Sequence, residues 1–276
     1  MPSYLVTGAS RGIGFEFLRQ ISADPAAVVI GLVRDKAGAE KKVAAEIGRT
    51  NIHLLQGDVT DYESLKKAAG DTAKITGGGL DYLIANAAIA SPSSGYKTFS
   101  DMSEDPKALE DDILNCYKTN VVGNIHLFNL FLPLIQRGEV KKVIAISSGM
   151  GDLDLVINQE LDMAGPYSIS KAALNLAVAK FSAEFKSEGI LFMSVSPGVV
   201  ETSGSNNLNE LARLSEKELK MRDKMGRKFA EVAPHFKGPI MPEESVRLVM
   251  DVIKNASVEH GDGGSFVSHH GNKQWL

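Results

Sequence analysis

Short apolar runs alternate with longer helix-like stretches along most of this chain, and that alternation constrains the fold more than any single residue. The runs lie at 4–7, 28–33, 53–56, 82–85, 143–147 and 191–196, with a weaker one at 265–267. Between them the helical period predicts helices over 12–23, 36–48, 61–74, 105–136, 166–188 and 242–255. Within the longest of these, Leu109, Ile113, Tyr117, Val121, Phe128 and Leu132 form a stripe expected to face the core. The strand-like runs are apolar without clean alternation, as when both faces of a sheet are covered. Repeated strand–helix units of this kind predict an α/β fold whose parallel, doubly wound sheet has about seven strands. Right-handed crossovers then put helices on both faces.

The 276 residues, 43% of them apolar, suffice for one large core, and no linker or repeat divides them, so a single domain over 1–276 is expected. Two stretches break the rhythm, 151–165 and 203–241. The net charge of −4 implies no attraction to nucleic acid or to an anionic membrane. No apolar run approaches the ~20 residues of a membrane span. The opening residues MPSYLVTGAS carry no basic segment or cleavage site, so a cytoplasmic location is the default expectation. The single cysteine, Cys116, rules out an intrachain disulfide and reads as a buried thiol. His269 and His270 adjoin but have no third ligand at metal spacing, so no metal site is expected.

The first strand runs straight into Thr7-Gly8-Ala9-Ser10-Arg11-Gly12-Ile13-Gly14, and a helix follows. Glycines let the backbone turn tightly and approach a diphosphate, and the helix start offers free N–H groups and the positive end of its dipole. Gly8, Ser10, Arg11, Gly12, Ile13 and Gly14 are therefore expected to hold a dinucleotide in a Rossmann-type fold. The Thr-Gly-x-x-x-Gly-x-Gly spacing resembles the fingerprint of the short-chain dehydrogenase/reductase family, and the likeness extends to about Thr202. That resemblance implies an oxidoreductase moving a hydride between a nicotinamide cofactor and a carbonyl or secondary alcohol.

Arg34-Asp35 closes the second strand, about where dinucleotide folds meet the adenosine ribose. An acid at that place would accept from the 2′-hydroxyl, and here Val33 occupies the position of that acid in NAD-preferring members. Arg34 and Arg11 offer guanidinium groups to a 2′-phosphate, which favours NADP(H). Asp35 is the feature that could restore NAD binding by swinging inward. By resemblance, Asp58 and Val59 contact the adenine ring. Ala85-Asn86-Ala87-Ala88 matches the segment that braces the sheet beside the cofactor, with Asn86 read as structural. Pro197, Gly198, Val200 and Thr202 lie beside the nicotinamide, the Val200 backbone and the Thr202 hydroxyl meeting its carboxamide.

Tyr167 and Lys171 stand four positions apart, on one face of a helix start. A phenol is a poor base at neutral pH, and a nearby lysine cation is expected to lower its pKa, so that Tyr167 exchanges a proton with the substrate oxygen. The resemblance adds that Lys171 holds the nicotinamide ribose. It also selects Ser148 rather than Ser147 as the hydroxyl that holds the substrate oxygen, and Asn120 as the residue holding a water in a proton relay to the lysine. Asn124 is read as structural.

Ser148 and Tyr167 are 19 positions apart, a longer stretch than in many members, and the surplus is expected to border the substrate. This length, with Ser-Gly-Met-Gly-Asp-Leu before it, is similar to the C-factor and sniffer-like carbonyl reductases. The ending from Gly263-Gly264 to Trp275-Leu276 resembles fungal reductases, including ketoreductases. Leu211, Met221, Met225 and Phe229 in the second surplus suggest a lid over an apolar or aromatic substrate. Asp152, Asp154, Glu160 and Asp162 read as solvent-facing or pocket-rim acids. Arg222, Lys224, Arg227 and Lys228 read as the wet face of a helix. A carbonyl reductase using NADPH is the leading reading. An NAD-dependent alcohol dehydrogenase and a non-catalytic dinucleotide sensor are the alternatives, and pairing into a homodimer or homotetramer is implied by analogy.

Overall fold

Apolar residues at adjacent positions of the strand runs leave most strands two faces to bury, and the molecule covers both. The computed structural model describes residues 1–91, 93–202, 214–233, 236 and 238–276. Seven parallel strands form one sheet in the order β3-β2-β1-β4-β5-β6-β7. They are β1 (Ser3–Thr7), β2 (Val28–Val33), β3 (Ile52–Gln56), β4 (Tyr82–Ala85), β5 (Lys142–Ile146), β6 (Leu191–Ser196) and β7 (Phe266–Ser268). Side chains alternate between two cores. Val6, Val29, Ile84, Ile144, Met193 and Val195 pack with α1 (Gly12–Ile21), α2 (Lys36–Glu46) and the helix Pro242–Asn255, numbered α10. Leu5, Ile30, Leu83, Val143 and Phe192 pack with α3 (Tyr62–Thr76), α6 (Gly123–Arg137) and α8 (Gly165–Phe185).

The remaining helices are α4 (Phe99–Met102), α5 (Pro106–Tyr117), α7 (Leu153–Asn158) and α9 (Glu216–Val232). The single helix expected over 105–136 is interrupted by a π-helical stretch at Lys118–Val122 between α5 and α6. A π-turn adds a residue to the ladder and rotates the face beyond it. The expected stripe already breaks at Tyr117, which ends α5 exposed, and beyond the π-turn Asn120, Val121, Asn124, Leu127, Phe128 and Phe131 go into the interior. Of the expected lid, residues 203–213, Leu211 among them, lie outside the described residues. Met221, Met225 and Phe229 stand on α9. Among the described residues no helix is long and apolar enough to cross a membrane.

Asp81 ties the start of β4 to β1 and to the approach to β5. Its carboxylate accepts from the Ser3 N–H and hydroxyl at 2.8 and 2.9 Å and from the N–H groups of Glu139 and Val140 at 2.8 and 3.2 Å. Burial opposes ionisation, but these donors prevail and hold the carboxyl below the usual carboxylate range. Asp81→Ala is expected to cost about 3 kcal/mol of stability, because several buried donors lose a charged acceptor. Since the folded carboxyl is the more acidic, its contribution is full above the unfolded value near ~4 and fades as pH falls through the lower folded value. Chemical denaturation at neutral and at acid pH checks this, and equal stability of the two proteins at pH 7 would contradict it.

Candidate active site

The C-terminal ends of the central strands carry the expected residues on consecutive loops. Gly8 and Gly12 adopt φ of 67° and 54°, values that suit glycine, and turn β1 into α1. A Cβ on Gly14 would lie 2.3 Å from the Gly8 carbonyl oxygen and 2.6 Å from Asn86 Nδ2. Asn86 braces the turn by donating to the Thr7 carbonyl at 2.9 Å, while the N–H groups of Asn86 and Ala87 donate to Thr7 Oγ1 at 3.0 and 2.9 Å. Helix α1 opens after an extended Arg11 with no side-chain cap, so its first N–H groups point from a glycine turn toward the sheet's carboxyl edge. Ser10 and Arg11 are exposed, and Ile13 packs partly against the core. Gly12 faces Thr202, whose methyl would lie 3.3 Å from a Cβ there.

At the end of β2, Asp35 is committed to the chain itself. Its carboxylate caps α2, accepting from the Gly38 N–H at 3.0 Å. Arg34 is exposed and, like Arg11, makes no ion pair among the described residues. Asp58 accepts from the Thr60 N–H and hydroxyl, both at 2.8 Å. Burial raises the Asp58 pKa, but those bonds and the Arg34 guanidinium outweigh it and hold the carboxyl low. Val59 is buried against α6 at Gly123, where a Cβ would approach the Val59 carbonyl to 2.5 Å. Lys42, which carries no sequence signal of its own, places its ammonium 3.5 Å from the Ser10 carbonyl.

Tyr167 lies in the first turn of α8, and Lys171 one turn on is only 2% exposed. The Lys171 ammonium donates to the Ile146 carbonyl at 2.8 Å and sits 5.7 Å from the Tyr167 ring centre. Burial pushes Lys171 down to about 8. The expectation that Lys171 lowers the Tyr167 pKa is corrected here. Burial pushes the phenol up, the Ser148 hydroxyl bonded to it pulls the other way, and the Cys116 thiol adds to the rise. Ser148, not Ser147, faces Tyr167. Ser147 is buried, its N–H donating to the Val195 carbonyl at 2.8 Å.

Asn120 is fully buried in the π-helical stretch, and its side chain is committed. Its Oδ1 accepts from the Ile89 N–H, and its Nδ2 donates to the Ile89 carbonyl and to Ser170 Oγ, all at 2.9 Å. Ser170 in turn donates to the Tyr167 carbonyl at 2.7 Å, so Asn120 locks the turn that carries Tyr167. Asn124 donates to the Asn120 carbonyl at 2.8 Å.

After β6, the Pro197 carbonyl accepts from Ser245 Oγ at 2.7 Å, and Gly198 turns at φ 83° against the buried His269 ring. Val200 forms a parallel bridge with Ile240. The charges flanking the substrate side are not merely solvated, as the sequence suggested. Lys224 reaches Asp162 at 2.7 Å, and Lys228 donates to the carbonyls of Gln159 and Glu160 at 2.7 and 2.8 Å, so α9 docks on the surplus 151–165. Asp152 caps α7 through the Leu155 N–H at 2.9 Å. Met150, Leu155, Leu161, Val199, Met225, Phe229 and Trp275 share one apolar cluster there. In the sequence Trp275 marks only the ending that resembles fungal reductases, with no place in the site.

The family model for short chain dehydrogenases matches residues 3–212. A short chain dehydrogenase, virK, of Hypocrea virens is 53% identical over 279 residues, and a short-chain dehydrogenase/reductase, iacC, of Pestalotiopsis fici is 52% identical over 278, each covering 100% of both chains. Among solved structures, NADPH-bound carbonyl reductase from chicken fatty liver superposes with a TM-score of 0.75 at 26% identity, covering 99% of this chain and 98% of that one.

Proposed function

The chain belongs to the short-chain dehydrogenase family, and on that premise we propose that it is an NADPH-dependent carbonyl reductase acting on apolar or aromatic ketones or aldehydes. The observation that carries this reading is the half-buried Tyr167 phenol, bonded to Ser148 with Lys171 on the same face. Because burial raises its pKa, Tyr167 holds its proton at neutral pH and acts as the acid that a carbonyl oxygen needs on reduction. A bound nicotinamide cofactor supplies the hydride. Ser148 and Tyr167 hold the substrate oxygen, and Tyr167 gives it a proton. Lys171, mostly cationic below about 8, would offset the negative charge left on the phenol oxygen as its proton departs, and offers a donor to the nicotinamide ribose. Asn120, through Ser170, keeps Tyr167 in place.

The glycine turn fits a diphosphate, since the uncapped start of α1 leaves backbone donors free. Gly8, Ser10, Arg11, Gly12, Ile13 and Gly14 would hold it. Asp58, Val59, Asn86 and Ala87 would line the adenosine half, and Pro197, Gly198, Val200 and Thr202 the nicotinamide half. The preference for NADP(H) rests on Arg34 and Arg11, with Lys42 adding charge nearby, and on an Asp35 carboxylate committed to its cap. The apolar cluster around Met150, Val199, Met225 and Phe229 supports an apolar substrate. The exposed Leu114 and Tyr117 on α5 and Ile169 and Leu176 on α8 support pairing of copies through those helices. We read the whole as one cytoplasmic catalytic domain.

Separate titrations of NADPH and NADH, followed by nicotinamide fluorescence, test the reading. NADPH is expected to bind at least ~10-fold more tightly, and Arg34→Ala to weaken it by ~10–100-fold while leaving NADH unchanged, the value of a charged hydrogen bond to phosphate. Equal or tighter NADH binding, or an equal loss for both cofactors, would overturn the NADPH assignment.

A further inference from the structure

We propose that Trp275 is a positioning residue for Ser148, packed against the turn that carries this hydroxyl so that it meets the substrate oxygen in one place. The inference rests on the reductase reading above and adds a residue that lies in none of its motifs.

After β7 the chain reverses. The Gly271 N–H donates to the Ser268 carbonyl at 2.9 Å and the Ser268 N–H to the Asn272 carbonyl at 2.7 Å, with Gly271 at φ 72°. The reversal brings 273–276 to the catalytic edge of the sheet. There Trp275 is 7% exposed and stacks on Phe266 of β7, ring centres 4.5 Å apart. The Lys273 ammonium lies 5.0 Å and 4.9 Å from the centres of those two rings and reaches Asp152 Oδ2 at 3.0 Å. Asp152 is the cap of α7, so this ion pair ties the returning segment to the surplus before Tyr167.

The contact that matters is with the residue after Ser148. A Cβ on Gly149 would stand 3.0 Å from Trp275 Cβ and 3.1 Å from Cγ, so the tryptophan rests directly against the Gly149 backbone. On its other side the same glycine donates its N–H to Ser196 Oγ on β6 at 3.0 Å, and Met150 N–H donates to Ser148 Oγ at 3.3 Å. The turn is thus held between a hydrogen bond from the sheet and the Cβ and Cγ of a tryptophan whose ring is fixed on Phe266. Leu155 and Leu161 from the surplus and Phe229 from α9 pack in the same cluster. Three segments on the substrate side meet where Trp275 stands, beside a hydroxyl whose value depends on where it sits. Hydroxyl donors at a reacting oxygen lose their effect when displaced by about an ångström, at a cost of up to ~100-fold in rate.

The test compares wild-type protein with Trp275→Ala, Trp275→Phe and Lys273→Ala. It reads NADPH affinity, kcat and KM with phenanthrenequinone and nitrobenzaldehyde as probes, and hydrogen exchange of the backbone at 148–152. The expected result for Trp275→Ala is a ~30–100-fold loss of kcat with NADPH affinity within about twofold, and faster exchange at 148–152 but not in β1 or α1. Trp275→Phe, which keeps an aromatic face, is expected to stay within about threefold of wild type, and Lys273→Ala to fall between the two. Full kcat in Trp275→Ala, unchanged exchange at 148–152, a proportionate loss of NADPH affinity, or a Trp275→Phe as impaired as the alanine variant would each overturn the proposal. Tight NADPH binding by a wild-type protein that reduces neither probe would instead count against the reductase reading, and the exchange data would then decide the role of Trp275 alone.

Discussion

Changing Tyr167 to phenylalanine is expected to lower kcat by about 1,000-fold and to leave NADPH affinity within about twofold, the range for losing a general acid. The substitution removes one oxygen and keeps the ring, so α8 and its contacts stay as they are. What is lost is the proton donor and the hydrogen-bond partner of Ser148. Lys171 still donates to the Ile146 carbonyl and stays in place. The pH profile of the wild-type enzyme follows from the same residues. Reduction needs the phenol protonated and the ammonium charged. Its rate is expected to be level through neutrality and to decline as pH rises past about 8, where Lys171 loses its proton. Steady-state assays of both proteins over pH check this, and a phenylalanine variant with more than about a tenth of wild-type kcat would remove Tyr167 from the chemistry.

The second large effect falls on the cofactor rather than on the proton. Gly14→Ala would put a methyl group 2.3 Å from the Gly8 carbonyl oxygen and 2.6 Å from Asn86 Nδ2. Both neighbours are fixed, since Asn86 is bonded to the Thr7 carbonyl and Gly8 N–H to the Leu32 carbonyl at 3.0 Å. The turn must open, at a cost toward the upper end of the ~1–3 kcal/mol of an overpacked site. Cofactor affinity is expected to fall by ~100-fold, about 2.8 kcal/mol on the scale of tenfold per 1.4. Gly12→Ala should be milder: its Cβ would meet only the Thr202 side chain, at 3.3 and 3.4 Å, leaving chiefly the cost of φ 54°. Titration of both variants with NADPH orders the two effects, and undiminished binding by Gly14→Ala would contradict the account of the turn.

The sheet was legible because its determinants are local. Each strand carries apolar residues on both faces and a helix-length stretch separates it from the next, so a parallel sheet with helices on both sides follows from chain rules. The glycine turn and the Tyr167–Lys171 pair were legible because one helix turn or one tight turn contains them whole. What escaped depends on contacts distant in sequence. The π-helical stretch at Lys118–Val122 shifted the phase of a stripe that looked continuous, sinking Asn120 among Ile89 and Ser170 just past an exposed Tyr117. The direction of the Tyr167 shift depends on how deeply the fold buries the phenol, which a four-residue spacing does not reveal. The lysines of α9 read as solvated because their partners, Asp162 and the carbonyls at 159 and 160, lie on another segment. The ending with Trp275 carried a resemblance but no site role, since its partner is the glycine beside Ser148.

The central claim is that this chain passes a hydride from NADPH to a carbonyl with Tyr167 as the acid. Its most direct test follows NADPH consumption with a panel of aromatic ketones and aldehydes, and quantifies the alcohols by mass spectrometry. The account predicts one alcohol formed per NADPH consumed, with faster turnover on NADPH than on NADH. Tight NADPH binding without formation of any alcohol across the panel would contradict it.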